Sequence, residues 1–323
     1  MKAIRFSKAG GPEVLVLQDI ELPPPGPGQV RVRHTVIGVN FIDTYQRSGL
    51  YPVPLPSGLG MEAAGTVEAL GENVRTPKMG DRVAYCSGPL GAYAEANNVA
   101  ADRVVKLPGA ISDEVAAASL LKGMTAQYLL KRTHPLQRGE TILFHAAAGG
   151  VGLIACQWAK HLGATVVGTV GSESKVALAK ANGCDHVLNT RESDWSKKLR
   201  ELTGGKGVPV VYDSIGKDTW AGSLDCLAVR GLMVSFGNSS GAVPAFEPGI
   251  LSAKGSLYLT RPTLMSYTRD AQELQATADD LFDVIGSGAV KIAVHQRFKL
   301  AEARQAHEAL HSRNTTGATV LIP

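Results

Sequence analysis

Ala147, Gly149 and Gly152 stand at the spacing of a phosphate-cradling turn, G-x-G-x-x-G with alanine in the first place. The chemistry such a turn offers is that of bare backbone. Small residues let N–H groups approach a pyrophosphate, and a helix starting there points its positive dipole end at the charge. About 20 residues further on, an NAD-binding turn would carry an acid for the ribose 2′-hydroxyl. Here the chain reads Gly168-Thr169-Val170-Gly171-Ser172-Glu173-Ser174-Lys175, with Val170 in the acid's place. Ser172 could donate a hydrogen bond to a 2′-phosphate, and the Lys175 ammonium could pair with it, so the pattern favours NADP over NAD. Two plainer explanations exist: a Gly-rich helix packed on a sheet without any ligand, and a Lys175 that is merely solvated beside Glu173.

A turn of this kind needs a strand before it and a helix after it. The run Ile142-Leu143-Phe144-His145 reads as a buried parallel strand, and Leu153, Ile154, Cys156, Trp158 and Ala159 continue at helical spacing. Further strands are expected over 165–170, 186–189, 208–212, 232–236 and 256–259. Helices are expected from a Ser172 cap to 182–183, over 193–203 and over 219–229. Strand–helix alternation of this sort builds an α/β, doubly wound parallel sheet.

The segment up to residue 107 is different. Val30, Val32 and Val36 alternate with polar residues, and 64–70, 82–85 and 92–100 read as strands separated by Gly and Pro, which suggests a partly open antiparallel barrel. A helix follows from Ser112-Asp113-Glu114 to Leu130. The tail holds a helix over 270–285, a strand over 290–294, a helix over 301–311 and a strand over 318–322, and is expected to return to the first domain. The boundaries are thus 1–125 with 263–323 for one domain and 126–262 for the other. His145 reads as a strand-end residue packed beside the turn. His307 and His311 fit an amphipathic terminal helix.

Bulk properties narrow the classes. At 323 residues the chain exceeds one ordinary core, so two domains are expected. Its net charge of +4 is spread without a basic run, which argues against a nucleic-acid partner. The four cysteines lie far apart, in neither zinc-knot nor disulfide spacing, as suits a reducing cytoplasm. No signal-peptide pattern and no bilayer-length apolar run point to membrane or export.

Several longer stretches add up to a resemblance: Gly10-Gly11-Pro12-Glu13-Val14-Leu15, Gly38-Val39-Asn40-Phe41-Ile42-Asp43-Thr44-Tyr45, Arg47-Ser48-Gly49-Leu50-Tyr51, 145–156, Val211-Tyr212-Asp213-Ser214 and Phe236-Gly237-Asn238-Ser239-Ser240-Gly241. Over nearly its whole length the chain resembles the medium-chain dehydrogenase/reductase superfamily, and within it the bacterial NADPH:quinone oxidoreductases related to zeta-crystallin. The resemblance implies a Rossmann domain inserted in a β-rich, GroES-like barrel domain, an active site in the cleft between them, and a homodimer paired through the Rossmann sheets. Zinc-using members carry Cys where this chain has Asn40, and His before Glu where it has Met61-Glu62. An amide and a thioether do not replace a thiolate and an imidazole, so no metal is expected.

Without a Lewis acid the chemistry rests on NADPH, which carries the hydride, and on a quinone whose oxygen turns anionic and needs hydrogen-bond donors. Asn40, Tyr45 and Tyr51 are the polar groups expected at the nicotinamide and acceptor, although both tyrosines could simply pack a loop. The motifs also assign Phe41 and Asp43 to the cofactor, Asp43 being equally readable as a turn or cap residue. The same matching assigns Tyr128, Gly149, Gly150, Val151, Gly171, Thr190, Ser214, Phe236, Gly237, Asn238, Ser239, Arg261 and Arg313 to NADPH, although Tyr128 could simply be core on its helix and Arg313 a helix C-terminal residue favoured by the dipole. Where relatives have Asn-Tyr-Arg near the adenine, this chain has Asn189-Thr190-Arg191, so Arg191 could cover the adenine or a phosphate instead. Reduction of enone or alkenal double bonds is the alternative within the class. An NADPH-binding structural or RNA-binding role is the alternative outside it.

Overall fold

The computed structural model describes residues 1–312 and 315–323, so Arg313 lies outside the described residues. The chain divides into two compact units, one of residues 1–124, 268–286 and 292–323, the other of 125–267 and 287–291.

The first unit opens with β1 (Lys2–Phe6), β2 (Val16–Asp19), β3 (Gln29–Val39), α1 (Phe41–Ser48), β4 (Ser57–Gly58), β5 (Glu62–Leu70), β6 (Arg82–Tyr85), β7 (Ala96–Ala100) and β8 (Val105–Lys106). Helix α2 (Asp113–Tyr128) carries the chain into the second unit. That unit alternates β9 (Thr141–Phe144), α3 (Gly150–His161), β10 (Thr165–Val170), α4 (Val176–Ala181), β11 (His186–Asn189), α5 (Trp195–Leu202), β12 (Val208–Asp213), α6 (Trp220–Cys226), β13 (Leu227–Ser235), α7 (Gly249–Ala253) and β14 (Tyr258–Thr260). The tail adds α8 (Ala271–Gly286), β15 (Val294–Lys299), α9 (Ala303–His311) and β16 (Ala318–Ile322).

In the second unit six parallel strands lie in the order β11-β10-β9-β12-β13-β14. Ile142, Leu143, Val166, Val167, Val210 and Val211 are fully buried, which is why these strands read as unbroken apolar runs. Strand order reverses between β9 and β12, the place where sheets of this type bind ligands.

In the first unit β3 points Val30, Val32, His34 and Val36 inward. It pairs with β5, β7 and β16 in a seven-stranded sheet ordered β15-β16-β3-β5-β6-β8, and β1 lies between β2 and β4 in a second, three-stranded sheet. All these pairings are antiparallel except β15 with β16, which is parallel.

The structure moves four expected elements. The helix expected over 219–229 ends at Cys226, because Val229 is 74% exposed on a strand that starts at Leu227. Apolar residues at 224 and 227 suit a helix face and a strand equally. The strand expected over 290–294 forms at Val294–Lys299, where polar side chains alternate along the sheet, whereas Val290 is buried without pairing. Of the span 92–100 only Ala96–Ala100 is strand, and the sixth parallel strand is Tyr258–Thr260 rather than 256–259. Helix α1 was not among the expected elements: it is eight residues long, and four of its five buried residues, Asp43, Thr44, Gln46 and Arg47, are polar.

Candidate functional site

In the second unit the expected cofactor residues follow strand ends. Register pairs Phe144 with Gly168 and Tyr212, Val170 with Asn189, Tyr212 with Val234 and Val234 with Thr260. The segments after all six strands therefore leave one end of the sheet. Gly149, Gly150 and Val151 follow β9, Gly171, Ser172 and Lys175 follow β10, and Thr190 follows β11. Ser214 follows β12, Phe236, Gly237, Asn238 and Ser239 follow β13, and Arg261 follows β14.

The turn after β9 is shaped by close approach. Ala146 takes a left-handed φ of 53°, and Gly149 N–H donates to Ala146 O at 2.9 Å. A Cβ on Gly152 would stand 2.2 Å from Ala146 O and 2.7 Å from Ala147 Cα, so only glycine lets α3 close against the strand end. The first helical bond is Leu153 N–H to Gly149 O. The N–H groups of Gly150, Val151 and Gly152 thus precede the ladder, as anion binding requires.

At the end of β10 Val170 stands in the acid's place, and the first carboxylate after it, Glu173, is exposed. Ser172 sits at the cap position, but its hydroxyl bonds Ser174 Oγ at 3.0 Å instead of a helix N–H. Burial, and then the nearby Arg191 charge, draw the Lys175 ammonium below its usual pKa. Two cations thus share this corner, a charge arrangement suited to a dianion. The NADP 2′-phosphate is such a group, and these residues fit it.

Tyr128 is 2% exposed and stacks on Tyr267 with ring centroids 4.5 Å apart. Arg261 donates to Ser235 O at 2.9 Å. His145 is fully buried, as its strand-end position suggested, and is held on both ring nitrogens. The Ser223 hydroxyl donates to Asp213 Oδ2 (2.8 Å), so its oxygen accepts from His145 Nε2–H (2.9 Å), and Nδ1 accepts from Thr169 Oγ1 (2.8 Å). Asp213 also takes Thr219 Oγ1 and the N–H groups of Ile215 and Gly216. Ser, His and Asp here form a closed, neutral-imidazole brace behind the strand ends.

In the first unit Asn40, Phe41, Asp43 and Tyr45 come together on α1. Asn40 is the N-cap, and its N–H donates to Asp43 Oδ2 at 2.8 Å, so Asp43 is a capping residue. Tyr45 packs edge-on against Phe41 (5.6 Å) and Tyr51 (5.1 Å), and Tyr51 N–H donates to Tyr45 O at 3.0 Å.

Two groups escaped the sequence reading. Glu62, fully buried, accepts Asn40 Nδ2 at 2.8 Å on Oε2 and Leu121 N–H at 2.7 Å on Oε1. Lys122, 6% exposed on α2, donates to Asn40 Oδ1 at 2.7 Å and to Glu62 Oε2 at 3.3 Å. A lysine inside the apolar run from Ala116 to Ala126 was the signal that could have found it.

His307, assigned above only to an amphipathic helix, is on that helix's buried face. Arg47 can only donate, so its N–H to His307 Nδ1 (3.0 Å) leaves the imidazole proton on Nε2. Nε2–H then donates to Tyr93 Oη (3.0 Å), whose own proton goes to Asp43 Oδ2 (2.8 Å). Burial pushes the Asp43 carboxyl up to about 7 and the His307 imidazole down to about 3. Among the described residues no three or more His, Cys, Asp or Glu side chains gather as metal ligands.

A parallel sheet with a glycine turn at its switch point in one unit, and a buried amide–carboxylate–ammonium cluster in a β-rich other, define a dinucleotide-dependent oxidoreductase fold. Residues 26–109 match the alcohol dehydrogenase GroES-like domain and residues 150–283 the zinc-binding dehydrogenase domain. A Pseudomonas aeruginosa quinone oxidoreductase is 58% identical over 323 residues, covering 100% of this chain and 99% of that protein. The crystal structure of Escherichia coli quinone oxidoreductase complexed with NADPH matches at a TM-score of 0.99 and 54% identity, covering 100% of both chains. A Burkholderia 2-haloacrylate reductase is 46% identical over 98% of this chain and 97% of its own length. The chain belongs to the zinc-free quinone oxidoreductases of the medium-chain dehydrogenase/reductase family.

Proposed function

We propose that this protein reduces quinones with NADPH and uses no metal. The observation that carries the cofactor choice is the corner after β10, where Lys175 and Arg191 stand together and Val170 replaces a carboxylate. The acceptor class comes from the full-length likeness to quinone oxidoreductases.

NADPH, when bound, supplies the hydride. The chain's own groups do the rest. The first N–H groups of α3 hold the pyrophosphate, and Ser172, Lys175 and Arg191 select the 2′-phosphate. Asn40 offers an amide N–H to the acceptor, and Tyr45 with Tyr51 forms the aromatic wall beside it. Thr190, Ser214, Phe236, Gly237, Asn238, Ser239 and Arg261 hold the nucleoside portions from the strand ends. The physiological unit in this proposal is a cytoplasmic homodimer. Edge strand β14 supports it, with Tyr258 62% exposed and Leu259 beside it, and so do four buried free cysteines. Among the described residues no helix is long and apolar enough to cross a membrane.

Consumption of NADPH absorbance with substituted 1,4-benzoquinones tests the proposal, with NADH as the control. Turnover confined to NADPH and quinones is expected, and inactivity on every quinone overturns it. The 2-haloacrylate reductase relative supports a second possibility, reduction of activated C=C bonds. Faster turnover of alkenals or 2-haloacrylates than of quinones would favour that one.

A further inference from the structure

The cluster of Asn40, Glu62 and Lys122 is built more tightly than neutralising one carboxylate requires. A buried ion pair by itself contributes little net stability, and apolar groups of equal volume usually do as well. Here the pair is joined to an amide at both ends. The Lys122 ammonium takes Asn40 Oδ1 (2.7 Å), the Glu62 carboxylate takes Asn40 Nδ2–H (2.8 Å), and the two charged groups meet at 3.3 Å. This arrangement forbids the flipped amide, which would turn its NH2 toward the ammonium and its oxygen toward the carboxylate. Neighbouring backbone closes the site further. A Cβ on Gly38 would lie 2.3 Å from both Glu62 Oε2 and Ala117 O, and Leu121 N–H pins the second carboxylate oxygen.

Asn40 therefore keeps one committed and one uncommitted N–H, in a fixed direction, at the N-terminus of α1. A cation on the carbonyl oxygen withdraws density from the amide nitrogen, which makes the remaining N–H a stronger donor. Hydride addition brings a quinone two electrons and one proton, leaving one oxygen anionic until it takes a proton from water. That oxygen needs such a donor.

We propose that Lys122 is a positioning residue for quinone reduction: with Glu62 it orients the Asn40 amide and polarises its free N–H toward the oxyanion formed on the acceptor. The proposal deepens the quinone reductase assignment and rests on it.

The test uses Lys122→Met and the paired variant Glu62→Gln with Lys122→Met, each compared with wild type as the NADP⁺ complex. The paired variant carries the test if the single one does not fold, because it leaves no buried charge without a partner. The probe is 4-nitrophenol, an unreactive stand-in for the reduced anion whose ionisation is read from phenolate absorbance. In wild type its bound pKa should lie below the free value. In either variant it should rise by about one unit, which is tenfold in phenolate preference. The kcat for benzoquinones should fall about 10- to 100-fold, with NADPH affinity changed less than about twofold. Lys122→Arg should recover part of both losses. An unchanged bound pKa in a folded variant, or no binding of the phenolate by wild type, overturns the proposal. Failure of the quinone assignment is distinguished by wild type itself turning over no quinone, while the phenolate pKa continues to read the Lys122 effect.

Discussion

The two units arrange their buried polar groups in opposite ways. The parallel-sheet unit does its work with backbone and hydroxyls. Its glycine turn offers N–H groups, and its one buried carboxylate, Asp213, is satisfied by four donors and leaves His145 neutral. The β-rich unit instead buries full charges from distant segments. Asn40, Glu62 and Lys122 bond one another, and Asp43 Oδ2 takes both the Asn40 N–H and the Tyr93 hydroxyl, behind which stand His307 and Arg47. Around Asp213 the first arrangement is local, because residues within ten positions supply each of its donors, and only His145 reaches across the sequence, to Thr169 and Ser223. The second depends on topology, because its partners lie as many as 260 residues apart.

The comparison is broken most directly at Gly152. Gly152→Val places side-chain carbon against Ala146 O, where a Cβ already stands at 2.2 Å, and no flexible side chain can move aside. A loss of about 4 kcal/mol or more is expected, seen as little soluble protein or as no NADPH fluorescence enhancement. Normal NADPH affinity in this variant would show that the turn is not closed by contact.

Asp213→Ala comes next. It strips acceptors from Ile215 N–H, Gly216 N–H, Thr219 Oγ1 and Ser223 Oγ in a fully buried site, at a cost of about 3–5 kcal/mol in urea unfolding. Asp213→Asn, which keeps an acceptor oxygen, should lose less. Equal losses for the two would mean that volume, not hydrogen bonding, matters there.

Those effects also explain what could be read from the sequence. The glycine turn, β10 at Thr165–Val170 and β11 at His186–Asn189 were legible to the residue, because small residues and unbroken apolar runs are local signals. Residues 149–151, 171–175, 190, 214, 236–239 and 261 follow strand ends, since strand order alone puts them there, whereas Phe41, Asp43, Tyr45 and Tyr128 lie on helices. Helix α1 was not legible: it is only two turns long, and it buries polar Asp43, Thr44, Gln46 and Arg47, which sequence reading places on a surface. Lys122 and Glu62 were missed because their bond spans 60 positions and no local pattern encodes it. His307 looked like one polar residue on an amphipathic helix, and only the fold reveals that Arg47 and Tyr93 wait on its buried face.

Lys175→Ala sharpens the comparison on the cofactor side. Removing one of two cations at the end of β10 should raise the KM for NADPH about 10- to 100-fold and leave NADH nearly unchanged. A parallel loss for both cofactors would assign Lys175 to the pyrophosphate or to structure instead of the 2′-phosphate.

The smallest expected effect is a slope. His307 and His34 stay neutral in the native state until about pH 3 and about pH 4, and burial holds His145 low as well. In the unfolded chain imidazoles protonate near 6.5. As pH falls below that value, the unfolded state binds about two more protons at His34 and His307, His145 adding in the same direction, and stability drops. Asp43 acts in the opposite direction. Its native carboxyl holds a proton up to about 7, whereas the unfolded one releases it near 3.8, so rising pH costs stability across the same window. For His34, His307 and Asp43 together the net excess in the unfolded state is then about one proton between pH 4 and 6.5, and His145 adds to it in the same direction. Asp43→Asn keeps an oxygen to accept from Asn40 N–H and Tyr93 Oη but deletes the opposing titration. Its unfolding free energy should therefore climb more steeply with pH, by about 1.4 kcal/mol per pH unit, gaining on the parent up to pH 7. Urea titrations at half-unit steps would read this directly. Parallel curves for the two proteins would mean that Asp43 is ionised in the native state throughout, its charge balanced by Arg47 through His307 and Tyr93.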